Sequence, residues 1–193
     1  MINGKLICLV GQTASGKDTI ANYLRDTYGY KQVCSYTTRP KRPNETNGVE
    51  HYFISDEEME KLRYDRDVVA YTRIDSELEA TKGFEYCAKL KDVLTADVYI
   101  IDPNGIKYMR EKFPDIQIIT VFVDADEQVR KVRALKRDPK GLSAFEKRER
   151  NEYEQFRDFK KSKSYDYIIE TNAGGVSIMC GAMDAVLIAN KFI

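Results

Sequence analysis

The chain has 193 residues and balances 31 lysines and arginines against 31 aspartates and glutamates, so its formal net charge is zero. This length fits one domain, or at most two, and can bury a hydrophobic core without disulfide or metal staples. A neutral total is not typical of polybasic proteins that coat nucleic acid or membranes, so we expect neither partner. Without a membrane-length apolar stretch or signal-peptide features, the sequence predicts a cytoplasmic protein.

The first predicted element is a strand at residues 5–10, whose apolar residues run continuously instead of alternating. Such a run is typical of a parallel strand that is buried on both faces. A glycine-rich turn follows, and then a predicted helix over about residues 17–28, which Gly29 ends. Strand, glycine-rich turn and helix in this order are the context that a phosphate-binding loop requires.

The turn Gly11-Gln12-Thr13-Ala14-Ser15-Gly16-Lys17-Asp18-Thr19 carries the sharpest chemical signal. Gly11 and Gly16 would let the backbone curl so that its N–H groups point at phosphate oxygens, and the N-terminus of the helix adds partial positive charge. Lys17 could reach the β- and γ-phosphates of a nucleotide. The predicted nucleotide-binding residues of this turn are Gly11, Ala14, Ser15, Gly16, Lys17, Asp18 and Thr19. A chance glycine-rich turn is the disfavoured alternative, because strand and helix are both in place.

Asp18 departs from the usual pattern, in which a serine or threonine follows the lysine and its hydroxyl helps to hold Mg²⁺. A carboxylate is a hard oxygen ligand that can bind Mg²⁺ directly or through water. It also brings negative charge close to the phosphates. Asp18 is therefore the candidate metal residue.

Residues 35–97 do not follow the alternation of buried strands and helices. They begin with a polar loop, continue with the short run at residues 51–54, and contain a capping box in which Ser55 and Glu58 begin a helix. Residues 68–72 have the composition of a short strand. We predict that this segment is an insertion in an α/β core and moves against it.

Three more buried strands are predicted at residues 98–101, 116–123 and 167–169. Helical patterns lie between and after these strands, at about residues 105–113, 127–137, 144–161 and 176–191. Alternating strands and helices predict a central parallel sheet with helices on both faces.

A second candidate site is the basic loop that begins at Ser35. Arg39 and Arg42 are three residues apart, and such a pair suits a planar fork around a phosphate. A solvated basic loop explains the spacing equally well, so spacing alone leaves both interpretations open.

At these residues the sequence resembles the guanylate kinase family. The residues in register with the family pattern are Ser35, Thr37, Thr38, Arg39, Arg42, Glu45, Gly48 and Phe53. Further along, Arg133, Arg137 and Arg148 resemble the arginines of the family's lid and adjoining helix, and residues 165–169 with Asn172 resemble its last strand. The resemblance spans nearly the whole chain.

The resemblance implies one domain: a P-loop three-layer α/β core with a central parallel sheet (residues 1–34 and 98–193), an inserted NMP-binding subdomain (35–97) and a lid (about 135–148). It implies transfer of the γ-phosphate of ATP, with Mg²⁺, to a nucleoside monophosphate, most simply GMP or dGMP. The expected partners are small-molecule nucleotides, and the protein is expected to be a monomer or a homodimer.

The implied catalytic residues are Lys17, Arg39, Arg137 and Arg148. Arg133 would bind ATP, and the acceptor would contact Ser35, Arg39, Arg42, His51, Tyr86 and Asp102.

Several positions depart from the family. His51 stands where the family has a tyrosine that touches the acceptor phosphate, with Tyr52 one place later. Ala70 replaces a glutamate that reads guanine, and Tyr86-Cys87-Ala88 aligns with a Tyr-Gly-Ser/Thr stretch. Glu77, Glu79 and Glu85 are candidate substitutes for the missing glutamate.

Asp102 has three interpretations. Four apolar residues followed by Asp at a strand end are typical of a carboxylate that holds Mg²⁺. The resemblance instead matches Asp102 to a residue that contacts the base, and a carboxylate in this place can also cap the following helix. The base contact is slightly favoured.

Three alternative functions remain open. The chain could phosphorylate a non-guanine nucleotide, or it could be a binding module that has lost catalysis. A P-loop GTPase or regulatory ATPase is disfavoured, because the sequence has no N-K-x-D base-reading motif.

Overall fold

A computed structural model describes residues 4–41, 45–64, 68–74, 83–139, 141–173 and 175–193. The strands are β1 (Lys5–Val10), β2 (Ser35–Thr37), β3 (His51–Phe53), β4 (Val68–Ile74), β5 (Phe84–Lys89), β6 (Val98–Ile100), β7 (Gln117–Asp124) and β8 (Tyr167–Glu170). The helices are α1 (Lys17–Tyr28), α2 (Asp56–Tyr64), α3 (Leu90–Thr95), α4 (Pro103–Lys112), α5 (Glu127–Arg137), α6 (Leu142–Ser162) and α7 (Gly175–Ala189).

A parallel sheet with the order β6-β1-β7-β8 forms the centre of the molecule. Side chains of β1 alternate between its two faces. Leu6, Cys8 and Val10 pack with residues of α4 and α6 on one face, whereas Ile7 and Leu9 pack with residues of α1 and α7 on the other. Helix, sheet and helix therefore form three layers, and the predicted α/β class is confirmed.

The continuous apolar run of β1 follows from this layering. Its residues from Leu6 to Val10 are all fully buried, and burying a large aliphatic side chain contributes about 1.5–3 kcal/mol. All four predicted core strands are present, with ends that differ by a residue or so. Helix α1 has the predicted limits, and α6 is longer than predicted at both ends.

A second, smaller sheet has the order β3-β2-β5-β4 and lies within residues 35–97. Strand β2 is parallel to β3 and antiparallel to β5. The predicted capping box begins α2, since Ser55 N donates to Glu58 Oε2 (2.8 Å) and Glu58 N donates to Ser55 Oγ (3.2 Å). The sequence did not predict β2 or β5, because a three-residue strand and a strand of mixed polarity carry little periodic signal.

The two faces of the small sheet have different neighbours. Thr37, Tyr86 and Thr72 are in register across three strands and share one face. Thr72 Oγ1 donates to Asp102 Oδ2 (2.8 Å), so this face lies toward the end of β6 in the central sheet. On the other face, Cys87 Sγ lies 3.5 Å from Met59 Sδ of α2. The space between the two sheets is referred to below as the cleft.

The helices of the described residues include none that is both long enough and apolar enough to span a membrane.

Candidate active site

The loop at residues 11–16 connects β1 to α1 and is called the glycine-rich loop below. A Cβ atom on Gly11 would lie 2.3 Å from the carbonyl oxygen of Val123, a distance that no side chain tolerates. Gly16 has a φ of +110°, in the region that favours glycine. Gly11 is therefore required by the close approach of the Val123 carbonyl, and Gly16 is required by its backbone conformation.

Ser15 lies inside the glycine-rich loop and is almost completely buried. Within the described part of the chain its Oγ has no hydrogen-bond partner. An unsatisfied buried hydroxyl costs about 1–3 kcal/mol. A ligand oxygen in the loop would satisfy this hydroxyl.

Lys17 is the first residue of α1, and its ammonium group turns back to the glycine-rich loop. Nζ donates to the carbonyl oxygens of Gly11 (2.5 Å) and Gln12 (2.8 Å). Burial lowers the pKa of Lys17, and the nearby carboxylates of Asp18 and Glu152 oppose that shift. Asp18 is exposed in the first turn of α1, where a carboxylate is favoured by the helix dipole.

Helix α6 contacts the glycine-rich loop through charged side chains. Thr13 N donates to Glu152 Oε2 (3.1 Å), and Gln12 Nε2 donates to Glu149 Oε1 (3.1 Å). Arg148, predicted from sequence, donates to Thr13 Oγ1 (3.4 Å). The two glutamates were not predicted, although their spacing of three residues puts them on one side of a helix.

Arg130 anchors this arrangement from α5. Its guanidinium donates to both carboxylate oxygens of Glu149, at 2.5 and 2.8 Å, and its Nε donates to the carbonyl of Ala125 (2.9 Å). Arg130 is almost fully buried, so this bidentate ion pair is shielded from water. It fixes α6 against α5 at the level of the glycine-rich loop.

Arg133 and Arg137, both predicted from sequence, lie at different places on α5. Arg133 Nη1 donates to Thr171 Oγ1 (3.0 Å) and to the carbonyl of Ser15 (3.3 Å). Thr171 Oγ1 also donates to the carbonyl of Ser15 (2.8 Å). Arg133 therefore contacts the backbone of the loop, whereas Arg137 is exposed at the end of α5.

Arg39 follows β2 and forms a bidentate ion pair with Glu45, with N–O distances of 2.9 and 2.7 Å. Burial works against the charge of Arg39, but hydrogen bonds to Glu45 and Tyr86 raise its pKa overall. The guanidinium also lies 5.3 Å from the ring centre of Phe53. Arg42, the other predicted arginine of this loop, lies outside the described residues.

His51 and Ser35 face each other on neighbouring strands of the small sheet. Ser35 Oγ and His51 Nδ1 share a hydrogen bond of 2.8 Å, and the His51 ring meets the Tyr86 ring edge to face at 5.9 Å. Burial lowers the pKa of His51, and the charge of Arg39 lowers it further, while Asp18 acts in the opposite direction.

Asp102 follows β6 and caps α4. Its Oδ1 accepts hydrogen bonds from Gly105 N (2.9 Å) and Gln155 Nε2 (3.3 Å), and its Oδ2 accepts one from Thr72 (2.8 Å). The capping interpretation is thus present in the structure. A carboxylate oxygen accepts more than one hydrogen bond, so a contact with the base stays a prediction.

Glu77, Glu79 and Glu85 were the candidate substitutes for the missing glutamate that reads guanine. The structure describes Glu85, whereas Glu77 and Glu79 lie outside the described residues. Glu85 accepts hydrogen bonds from Tyr71 Oη and from Arg63 of α2 (3.4 Å). Successive residues of a strand point to opposite faces, so Glu85 lies on the face toward α2, away from Tyr86. Ala70 has a φ of +52° within an irregular part of β4.

Three cationic residues surround the cleft: Lys17 on the glycine-rich loop side, Arg39 on the small sheet and Arg148 on α6. Burial lowers the pKa of Arg148, and the positive charge of Arg39 adds to this effect. The two arginines are therefore close enough to repel each other. A bound anion such as a phosphate would relieve that repulsion.

Comparisons with known proteins identify the family of the chain. The sequence model described as "Guanylate kinase" matches residues 3–177. A guanylate kinase from Symbiobacterium thermophilum is 34% identical over 170 residues, which are 86% of this chain and 77% of the relative. One from Campylobacter jejuni is 29% identical over 195 residues, covering 99% of this chain and 90% of the relative.

The fold is also that of solved members. The crystal structure of guanylate kinase from Anaplasma phagocytophilum superposes with a TM-score of 0.62 over 97% of this chain and 86% of that chain, at 19% sequence identity. At this identity the likeness shows the fold alone. Together with the sequence relatives, the parallel sheet and its glycine-rich loop define the class of nucleoside monophosphate kinases. Within that class, the chain belongs to the guanylate kinase family, and the predicted family is confirmed.

Proposed function

We propose that the protein transfers the γ-phosphoryl group of ATP to GMP or dGMP, yielding ADP and GDP or dGDP. The observation that carries this proposal is the approach of Lys17, Arg39 and Arg148 to one cleft between the two sheets. Phosphoryl transfer needs reactants held in line and charge neutralised, and asks for little covalent chemistry from the protein. Membership of the guanylate kinase family supports guanine as the base of the acceptor.

On the donor side, we propose that the glycine-rich loop is a P-loop and holds the phosphates of ATP. Its curled backbone, the buried hydroxyl of Ser15 and the N-terminus of α1 suit an anion. Lys17 would exchange its contacts with loop carbonyls for phosphate oxygens. Arg133 supports the same site through the Ser15 carbonyl, and Ala14, Gly16 and Thr19 belong to the loop or the first turn of α1.

On the acceptor side, Arg39 and Arg42 would hold the monophosphate, with Tyr86 and His51 beside it. The lowered pKa of His51 keeps its ring neutral, so it would contact the phosphate as a hydrogen-bond partner and not as a cation. Ser35, beside His51, and Asp102, beside Thr72, would contact the base. Residues 35–97 would act as the acceptor-binding subdomain of a single-domain kinase.

Closure would bring the remaining arginines to the reaction. The proposed lid, at about residues 135–148, includes the end of α5, where Arg137 is exposed, and the start of α6, which carries Arg148. Both guanidinium groups would approach the transferring phosphoryl group as the lid closes. A closed cleft excludes water, which suppresses wasteful hydrolysis of ATP.

Asp18 fits a role at the metal ion that ATP-dependent kinases use. Its carboxylate is exposed beside Lys17 in the first turn of α1. A hard oxygen donor is what Mg²⁺ prefers. When bound, Mg²⁺ neutralises charge on the β- and γ-phosphates. Asp18 would hold it directly or through water.

The alternatives are not favoured. A binding module without catalysis would have no need for the complete set of Gly16, Lys17, Arg39 and Arg148. A kinase for another base would explain Ala70, but the relatives that the chain resembles are guanylate kinases. We also propose that the protein acts on small nucleotides in the cytoplasm, where both substrates occur, as a monomer or a homodimer.

A coupled assay of ADP formation over GMP, dGMP, AMP, CMP, UMP and dTMP tests the proposed function. We expect turnover with GMP and dGMP and little with the others. Replacing Lys17 with methionine should lower kcat at least 100-fold, because the charge on the transferring phosphoryl group loses a partner. Lys91→Met, on an exposed site of α3, is the control and should leave kcat unchanged. Absence of turnover with every acceptor would refute the kinase assignment.

A further inference from the structure

The carboxylate of Glu152 lies against the glycine-rich loop, where the proposed function places the phosphates of ATP. It accepts a hydrogen bond from the backbone N–H of Thr13, at 3.1 Å, inside the glycine-rich loop. The proposed function assigns the N–H groups of this loop to the phosphates of ATP. The Glu152 carboxylate therefore occupies the Thr13 N–H, a donor that the proposed function assigns to ATP.

The positive charges near Glu152 also belong to the proposed phosphate site. The carboxylate is influenced by the cations of Lys17 and Arg148, the two groups proposed to neutralise phosphate on the donor side and at the lid. Burial raises the pKa of Glu152, and the hydrogen bond from Thr13 and these two cations counteract that rise. The groups that stabilise the Glu152 carboxylate therefore include the Thr13 N–H, Lys17 and Arg148, which also belong to the proposed phosphate site.

Glu152 also belongs to a fixed structural connection. Glu149, one turn earlier on α6, accepts hydrogen bonds from Gln12 of the loop and from buried Arg130. The two glutamates therefore hold α6 against the loop from neighbouring positions. Because Arg148 lies on the same turn, a movement of Glu152 away from the loop would be coupled to the position of Arg148.

We propose that Glu152 determines the affinity of the donor site: its carboxylate competes with a phosphate group of ATP for the Thr13 N–H and must leave that N–H when ATP binds. This inference rests on the proposed function, which supplies ATP as the ligand. Two anions cannot share one donor and two cations without strong repulsion. The glutamate therefore stabilises the contact between loop and helix at the expense of ATP affinity.

Glu152→Gln tests the competition with little change of shape, since the amide oxygen can still accept from Thr13 but carries no charge. We expect the Kd for ATP, measured by isothermal titration calorimetry without acceptor, to fall at least threefold. The Kd for GMP should stay constant, because Arg39 and the small sheet are unchanged. Glu154→Gln, on an exposed position of the same helix, is the control and should leave both values unchanged.

The sign of the effect separates competition from a structural role. If Glu152 only stabilised the fold of the loop, its replacement would weaken ATP binding or leave it unaltered, and either result in folded Glu152→Gln would overturn the inference. If wild-type protein binds neither ATP nor ADP, the proposed function fails and the inference with it. If ATP binds equally to all three proteins, only the inference fails.

A measurement on the unaltered protein keeps the inference testable if Glu152→Gln does not fold. Hydrogen exchange at the Thr13 amide, followed by NMR without added nucleotide, should be slowed at least tenfold relative to an unprotected amide. Exchange at the rate of an unprotected amide would show that Glu152 does not hold the loop, and would overturn the inference.

Discussion

Ser35 Oγ and His51 Nδ1 lie 2.8 Å apart on the parallel strands β2 and β3, on the face of the small sheet that carries Tyr86. His51 takes the place of a tyrosine in the family pattern, and Ser35 is in the position proposed to contact the base. The hydrogen bond thus joins the proposed base site to the proposed phosphate site. Burial and the charge of Arg39 lower the pKa of His51 and so favour the neutral ring, and the tautomer of that ring decides which atom donates in this hydrogen bond.

The stability of the protein should therefore fall as the pH decreases below the pKa of an unfolded histidine. His51 is the only histidine of the chain, and in the unfolded chain it takes up a proton near pH 6.5. The folded state resists protonation until a lower pH. Below about pH 6.5 the unfolded state binds more protons, so the free energy of unfolding decreases; above that pH the ring contributes no pH dependence.

Urea unfolding at pH 7.5 and 5.5 checks this sign. We expect the wild-type midpoint to fall on acidification by more than the midpoint of His51→Gln, whose amide retains hydrogen-bonding groups but does not titrate. Carboxylates contribute equally to both proteins, so the difference between them isolates His51. Equal decreases in the two proteins would contradict the lowered pKa.

Removing one partner of the Arg39–Glu45 ion pair should strongly destabilise the protein. The two side chains are only 9% and 12% exposed, and a buried charge that loses its partner costs about 3–5 kcal/mol. We therefore expect Glu45→Gln to lower the free energy of unfolding by about 3 kcal/mol and to raise the KM for GMP. Asp26→Asn, which breaks the exposed pair with Arg25, is the control and should leave stability unchanged.

The acceptor site itself is tested by Arg39→Ala. Loss of a charged hydrogen bond to the monophosphate should raise the KM for GMP at least tenfold, corresponding to about 1.5–3 kcal/mol. The KM for ATP should change little, because the glycine-rich loop does not contain Arg39. An unchanged KM for GMP in steady-state kinetics would show that this loop does not bind the acceptor.

The sequence predicted the central sheet well because each core strand is a short apolar run between helical patterns. The strand at Leu6 to Val10 can be recognised from its own residues alone, because burial on both faces excludes polar side chains. Strand β2 is different: Ser35, Tyr36 and Thr37 form a strand only because β3 and β5 pair with them. Tertiary pairing of this kind leaves no local periodic signal.

The same distinction applies to the site. Lys17, Arg39 and Arg148 were predicted from motifs and from the family resemblance, and they lie around one cleft. Glu149 and Glu152 look in sequence like ordinary charges on the solvated side of a helix. Their partners in the glycine-rich loop are 137 and 139 residues away in the chain, and only the folded structure brings them together.

Asp18 should govern the metal requirement of the reaction. If its carboxylate holds Mg²⁺ directly or through water, Asp18→Asn weakens the charge on the ligand but keeps an oxygen donor. We expect the Mg²⁺ concentration for half-maximal activity to rise about threefold to tenfold at saturating ATP. Asp26→Asn, at the other end of the same helix, should leave it unchanged. A Mg²⁺ dependence identical to wild type would exclude Asp18 from the metal site.

The two roles of Asp102, helix cap and proposed base contact, can be separated by the choice of substitution. Asparagine caps helices about as well as aspartate, so Asp102→Asn should retain the bond from Gly105 and the thermal stability of the protein. It removes the negative charge that would accept hydrogen bonds from the N–H groups of guanine. We therefore expect the KM for GMP to rise about tenfold, since a hydrogen bond to a charged group contributes about 1.5–3 kcal/mol, while the KM for ATP stays constant.

Two further variants make this assignment to the base decisive. Thr72→Val removes the hydroxyl that donates to Asp102 Oδ2 while preserving the shape of the side chain. Because Oδ2 then loses the hydrogen bond from Thr72, the KM for GMP should rise by a smaller factor, about threefold. Asp115→Asn, exposed in the turn after α4, is the matched control and should behave as wild type. If Asp102→Asn leaves the KM for GMP unchanged in steady-state assays, Asp102 serves the fold as the cap of α4 and does not read the base.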